Sequence, residues 1–115
     1  MLPAVIAQQL GQLGVDLDQA VRRLGELEQT AIEAEAAYKV KFSQVFRGAS
    51  GSVEDRKQQA VAECDAEWRN WSLAASAVHV QKEHMKALHA RIDVGRSLAS
   101  TARAEASLAG SGITP

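Results

Sequence analysis

Between Pro3 and Pro115 the sequence contains no proline. Proline removes a helix hydrogen bond and clashes with the preceding turn, so nothing in this interior has to stop a long helix. Aromatic residues are scarce, at 4%, and a large core needs bulky residues, of which this chain has few. Cys64 is the sole cysteine. An internal disulfide is therefore excluded, no Cys/His set has zinc spacing, and a reducing, cytoplasmic compartment is expected. No apolar run reaches the ~18 residues of a membrane span. The N-terminal stretch lacks a basic segment ahead of an apolar one, so no secretory signal is expected. Charge of neither sign dominates, since the net is −1, and the chain as a whole is neither polycation nor polyanion. No membrane partner is expected.

What is present is helix-forming. Alanine supplies 21 of 115 residues, and hydrophobic residues make up 46%, too many for a disordered chain. β-branched residues never alternate over the length of a strand. Two clusters of turn residues interrupt the helical pattern: Gly48-Ala49-Ser50-Gly51-Ser52, and the tail from Gly110 to Pro115. The first reads as a turn and the second as a disordered end. The expected organisation is a single domain over residues 1–109, with a disordered tail at 110–115.

Helix one is predicted over about residues 4–47. Gly48 is placed to take the left-handed conformation after its last turn. Gly11 and Gly14 each cost ~1 kcal/mol relative to alanine, and Asp16 with Gln19 resembles a second N-terminal cap. A break at residues 11–16 is therefore one alternative and a continuous helix the other. Leu10, Leu13, Leu17, Ala20, Leu24, Leu27, Ala31, Ala34 and Tyr38 repeat at alternating steps of three and four, the spacing of a coiled-coil seam. Helix two is predicted over about residues 53–107, with Ser52 as N-cap and Glu54 and Asp55 in its first turn. Its seam runs through Cys64, Trp71, Val78, Met85, Ile92 and Ala99, then drifts toward Leu88, Gly95 and Ala102, as a nearly straight helix requires.

Folding at residues 48–52 makes an all-α, long antiparallel helical hairpin. A first register sets Ala31 opposite Trp68, Ala34 opposite Cys64, Leu27 opposite Trp71 and Leu24 opposite Ala75, so that large residues meet small ones. Both tryptophans are then core residues. Two helices bury little surface between them. Val21, Ile32, Phe42 and Phe46 widen the stripe of helix one and form a candidate self-association face. A homo-oligomer is expected, a dimer in the first place, completing a helical bundle.

Nothing in the sequence forms a catalytic constellation. His79, His84 and His89 are five residues apart and spiral around a helix rather than sharing a face. Carboxylates at Asp16/Asp18, Glu26/Glu28, Glu33/Glu35 and Glu63/Asp65/Glu67 are two apart and do not face each other. No phosphate-binding glycine loop is present. The expectation is a protein that is not an enzyme, with no cofactor and no metal. The charge pattern is more informative. Lys82, Lys86, Arg91, Arg96 and Arg103 lie in a stretch whose acids are Glu83 and Asp93. Lys82, Lys86, His89, Arg96 and Arg103 share one side of the helix. Together with Arg91 they are the candidate nucleic-acid or partner face, since such a stripe can track a phosphate backbone. An ordinary solvated flank paired with Asp16, Asp18 or Glu26 is the alternative.

Tyr38, Lys39 and Phe42, then Gly-Ser-Val-Glu-Asp-Arg-Lys-Gln from Gly51 to Gln58, and Ala-Arg-Ile-Asp-Val-Gly-Arg-Ser-Leu from Ala90 to Leu98, resemble small phage and prophage proteins. Members of this set are mostly uncharacterised and are expected to form coiled-coil hairpins. The resemblance implies a place in the cytoplasm of a bacterial host, beside DNA recombination and replication functions. It carries over no catalytic residue, and it marks Arg56, Lys57, Asp93 and Arg96 without a local structural reason. The expected function is that of a non-enzymatic accessory protein of phage DNA recombination or replication, binding nucleic acid or a recombination protein. Alternatives are a protein-binding adaptor or inhibitor of a host factor in counter-defence, or a structural phage subunit.

Overall fold

A computed structural model describes residues 2–110; most of the tail expected to be disordered, residues 111–115, lies outside them. The described residues are all-α, with no strand among them, and form a helical hairpin. Its elements are α1 (Pro3–Gly48), α2 (Val53–Glu63) and α3 (Asp65–Gly110).

Helix α1 is continuous through Gly11 and Gly14. The break near residues 11–16 does not occur, and Asp16 caps nothing; its carboxylate instead accepts a hydrogen bond from Gln12 at 2.9 Å. Leu10, Leu13 and Leu17 bracket the two glycines and are all half-buried in the seam, so packing offsets the poor helix propensity. Pro3 opens the helix, where its missing N–H is not needed.

The turn is closed differently from the expected glycine cap. Gly48 stays within α1, and the positive φ falls at Gly51, at 103°. Gly51 suits that angle because an L side chain there would be strained, and an added Cβ would lie 3.0 Å from Asp55 Oδ2. Ser52 then caps α2. Its Oγ accepts from the Asp55 N–H at 3.1 Å, and Asp55 Oδ2 accepts from the Ser52 N–H at 3.2 Å. A full capping box is thus made with aspartate in the place usually taken by glutamate. Arg56 fastens the turn to α1: its Nε donates to the Phe46 carbonyl at 3.1 Å and its guanidinium lies 4.7 Å from the Phe46 ring centroid. Helix closure is the local reason for Arg56.

The second helix is not continuous from 53 to 107. It is interrupted at Cys64 (φ −100°, ψ 13°), and α3 then extends to Gly110. Hydrogen bonds from Cys64 N to Ala60 O and from Trp68 N to Cys64 O, at 3.0 and 2.9 Å, bridge the irregularity. The interruption is therefore a local distortion of one helical path.

The described residues cluster into two compact units. The turn unit covers residues 23–81, and the terminal unit covers those within 1–22 and 82–115. In the turn unit, Leu24, Leu27, Ala31, Ala34, Tyr38, Lys41 and Val45 of α1 are half-buried at three-four spacing. Facing them are Ala60, Cys64, Glu67, Trp71, Ala74, Val78 and Gln81, all buried or half-buried. In the terminal unit, Ile6, Leu10, Leu13, Leu17 and Ala20 face Met85, Leu88, Ile92, Gly95, Ala99 and Ala102. Ile6, Ala20, Leu88 and Ala102 are buried there.

The pairing differs from the first register. Trp71 lies against Tyr38, with ring centroids 5.5 Å apart, rather than against Leu27. Glu67 pairs with Lys41 at 2.8 Å. Ring contact and charge pairing select this register over the one that matches residue sizes alone. Trp68 leaves the core and is 50% exposed, because the seam passes through Glu67 and Trp71 on either side of it.

Candidate functional site

Lys82, His89 and Arg96 are successive members of one heptad column on α3, and Arg103 continues it. Each is seven residues from the next, so the column extends about 32 Å at 1.5 Å per residue. The column flanks the seam residues Met85, Leu88, Ile92, Ala99 and Ala102, and the burial of those residues holds α3 at the rotation that turns it outward. All four side chains are exposed, as is Lys86 beside them. Lys86 Nζ pairs with Glu83 Oε1 of its own helix at 3.0 Å. Lys82, His89, Arg96 and Arg103 make no ion pair among the described residues. Within the terminal unit no ion pair to Asp16 or Asp18, which would have made this an ordinary solvated flank, is formed among the described residues, and Asp16 accepts from Gln12; Glu26, in the turn unit, bonds to Arg23 at 3.1 Å.

Arg91 is separate from this column. It lines an open apolar groove of about 540 Å³ in the terminal unit, with Ile6, Gln9, Leu10, Gln12, Leu13, Ala90, Val94, Gly95 and Leu98. The groove lies on the other side of α3. Sequence reasoning named Arg91 for its charge but did not find the groove. The signal was there in the apolar heptad of Ala87, Val94 and Leu108 with Leu98 beside it, which the dominant seam overshadowed.

The four residues of the candidate self-association face stand on one side of α1 and differ in exposure. Val21 and Ile32 are 50% and 61% exposed. Phe42 and Phe46 are half-buried; Phe42 lies 5.8 Å from the Tyr38 ring, and Phe46 lies under Arg56. The Lys39–Glu35 ion pair, at 2.6 Å, falls between Ile32 and Phe42 on the same side of α1.

The polar centre of the turn unit lies inside the seam. Lys41 Nζ donates to Glu67 Oε1 at 2.8 Å and to the Glu63 carbonyl at 3.1 Å, where α2 ends. The other carboxylate oxygen, Glu67 Oε2, is shielded from water without a hydrogen-bond partner. The hydrogen bond between them holds the Glu67 carboxyl below its ordinary range and lifts the Lys41 ammonium above its own. Burial pushes the Cys64 thiol up, with Lys41 opposing that shift. A raised thiol is less often in its nucleophilic thiolate form. No group of three or more His, Cys, Asp or Glu among the described residues is arranged to hold a metal ion. No helix among them is long and apolar enough to cross a membrane.

No family model, curated protein or solved structure matches the chain.

Proposed function

We propose that the protein is a non-enzymatic nucleic-acid-binding accessory factor, acting in phage DNA recombination or replication and using α3 as its contact surface. One observation carries this reading: Lys82, His89, Arg96 and Arg103 form an exposed column that makes no ion pair among the described residues. A cationic row that the fold leaves unneutralised is available to phosphates, and its length of about 32 Å is close to one turn of duplex, about 34 Å. Exposed aromatic residues do not interleave with the row. It therefore favours backbone contact over base stacking, and binding should be largely indifferent to sequence.

The test is fluorescence anisotropy of labelled single-stranded and duplex DNA with the full chain, at low and moderate salt. Engagement of about four phosphates gives a slope of log affinity against log salt of about −3 to −4. Reversing the charge of Lys82, Lys86, Arg96 and Arg103 together should abolish binding while the helical circular dichroism is kept. Absence of binding at low salt, or binding that survives the reversal, would overturn the proposal.

A further inference from the structure

Helix α3 has a second apolar seam that the hairpin does not use. Ala87, Arg91, Val94, Leu98, Thr101, Glu105 and Leu108 follow one another at alternating steps of four and three, the same spacing as the seam facing α1 but on another side of the helix. Val94, Leu98 and Leu108 are 61%, 42% and 53% exposed. Three large aliphatic side chains in register along one exposed helix face are a surface that a partner helix would cover. The groove between α1 and α3 opens onto this seam, and Val94 and Leu98 form part of its wall.

The charges on this seam say which partner. Arg91 and Glu105 stand in the same heptad column, one seven residues before Leu98 and the other seven residues after it. Neither makes an ion pair among the described residues. Two copies of α3 laid antiparallel about a two-fold axis at Leu98 bring Arg91 of one copy to the partner subunit's Glu105, and the same pair forms again by symmetry. That register sets Ala87 near the partner's Leu108, a small side chain against a large one, and Val94 near the partner's Thr101, two side chains of similar size. A parallel arrangement in the same register would place arginine on arginine and glutamate on glutamate, which is repulsive.

We propose that this chain pairs with a second copy of itself, antiparallel, through the outer seam of α3 centred on Leu98. The pairing is independent of the nucleic-acid reading, because the Lys82–His89–Arg96–Arg103 column lies on the opposite side of α3 and stays exposed in the pair.

Sedimentation of the full chain over a range of micromolar concentrations tests the proposal. Wild type should sediment as a dimer. Arg91→Glu and Glu105→Arg should each weaken the dimer about tenfold or more, since each turns two attractions into two repulsions. The double variant R91E/E105R should recover dimerisation close to wild type. Both positions are exposed, so folding is preserved and is checked by circular dichroism. A second measurement fixes direction. Oxidation of a mixture of Arg91→Cys and Glu105→Cys chains should give the mixed disulfide, whereas Arg91→Cys alone should not cross-link. A monomer at every concentration, single reversals without effect, failure of the double variant to recover, or self-cross-linking by Arg91→Cys would each overturn the proposal.

Discussion

The two compact units of this hairpin solve the same packing problem with different materials. The turn unit holds both tryptophans, the tyrosine and both phenylalanines, and it places Lys41, Glu67 and Gln81 in its seam. Its order comes from directional contacts: the capping box at Ser52, the arginine clasp on Phe46 and the Lys41–Glu67 pair. The terminal unit has no aromatic residue and relies on aliphatic side chains fitted against small ones. Leu10 lies so close to Gly95 that a Cβ there would sit 2.6 Å from Leu10 Cδ2. Directional contacts specify a register, because a slip breaks them outright. Aliphatic packing against glycine and alanine brings helices close but leaves outer faces free. In this protein the exposed faces of α3 in the terminal unit include the basic column and the second seam, and both proposed interactions sit there.

The contrast is sharpest at the largest buried side chain. Leu88 of the terminal unit is 2% exposed, and Leu88→Ala should cost about 3 kcal/mol through lost transfer energy and a cavity. Urea unfolding followed by circular dichroism measures that loss. Tryptophan fluorescence, which reports only the turn unit, should move less than the dichroism signal; equal shifts would show that the units unfold as one. Next in size is the cap. Ser52→Ala removes the acceptor for the Asp55 N–H and should cost about 1 kcal/mol, here with fluorescence moving at least as much as dichroism.

Two glycines form the next pair. Gly25→Ala adds a methyl group where nothing lies within 4 Å and should stabilise by about 0.5–1 kcal/mol. Gly95→Ala gains the same helix propensity but displaces Leu10, and the strain should more than cancel the gain. Thermal melts should therefore shift in opposite directions. The smallest effect is a pH dependence confined to the turn unit. The lowered Glu67 carboxyl contributes stability that is present above the ordinary carboxylate value and lost as pH falls through its lowered value. The raised Lys41 ammonium contributes stability that is present below the ordinary lysine value and lost as pH rises through its raised value. Fluorescence-detected stability should decline at both extremes, and the variant K41M/E67L should flatten that dependence.

Much of the fold was legible in order of residues alone. The all-α class, the turn at 48–52, the Ser52 cap and the seam from Leu10 to Tyr38 follow from spacing and from turn chemistry, which act over a few residues. The register was not legible. It depends on which side chains meet across two helices, and matching sizes alone set Trp71 against Leu27 where the Tyr38 ring and the Lys41–Glu67 pair draw it elsewhere. Glu67 read only as one of three carboxylates two apart that do not face each other, because a charge in a seam is recognised only from its partner. The interruption at Cys64 carried no sequence signal, since neither proline nor glycine stands there. Of the candidate site, the basic column was visible as a stripe, but that it makes no ion pair among the described residues depends on where α1 places Asp16 and Asp18.

Heptad spacing, missing prolines and a capped turn were enough to determine that this chain makes two helical arms that pack on each other, because those features act through local backbone geometry. Which face of α3 is spent on α1, and therefore which charges and aliphatic side chains are left outward, was decided by the tertiary structure. A helix with two apolar seams can bury only one of them against a single partner, and the choice belongs to the packed pair of helices rather than to either alone.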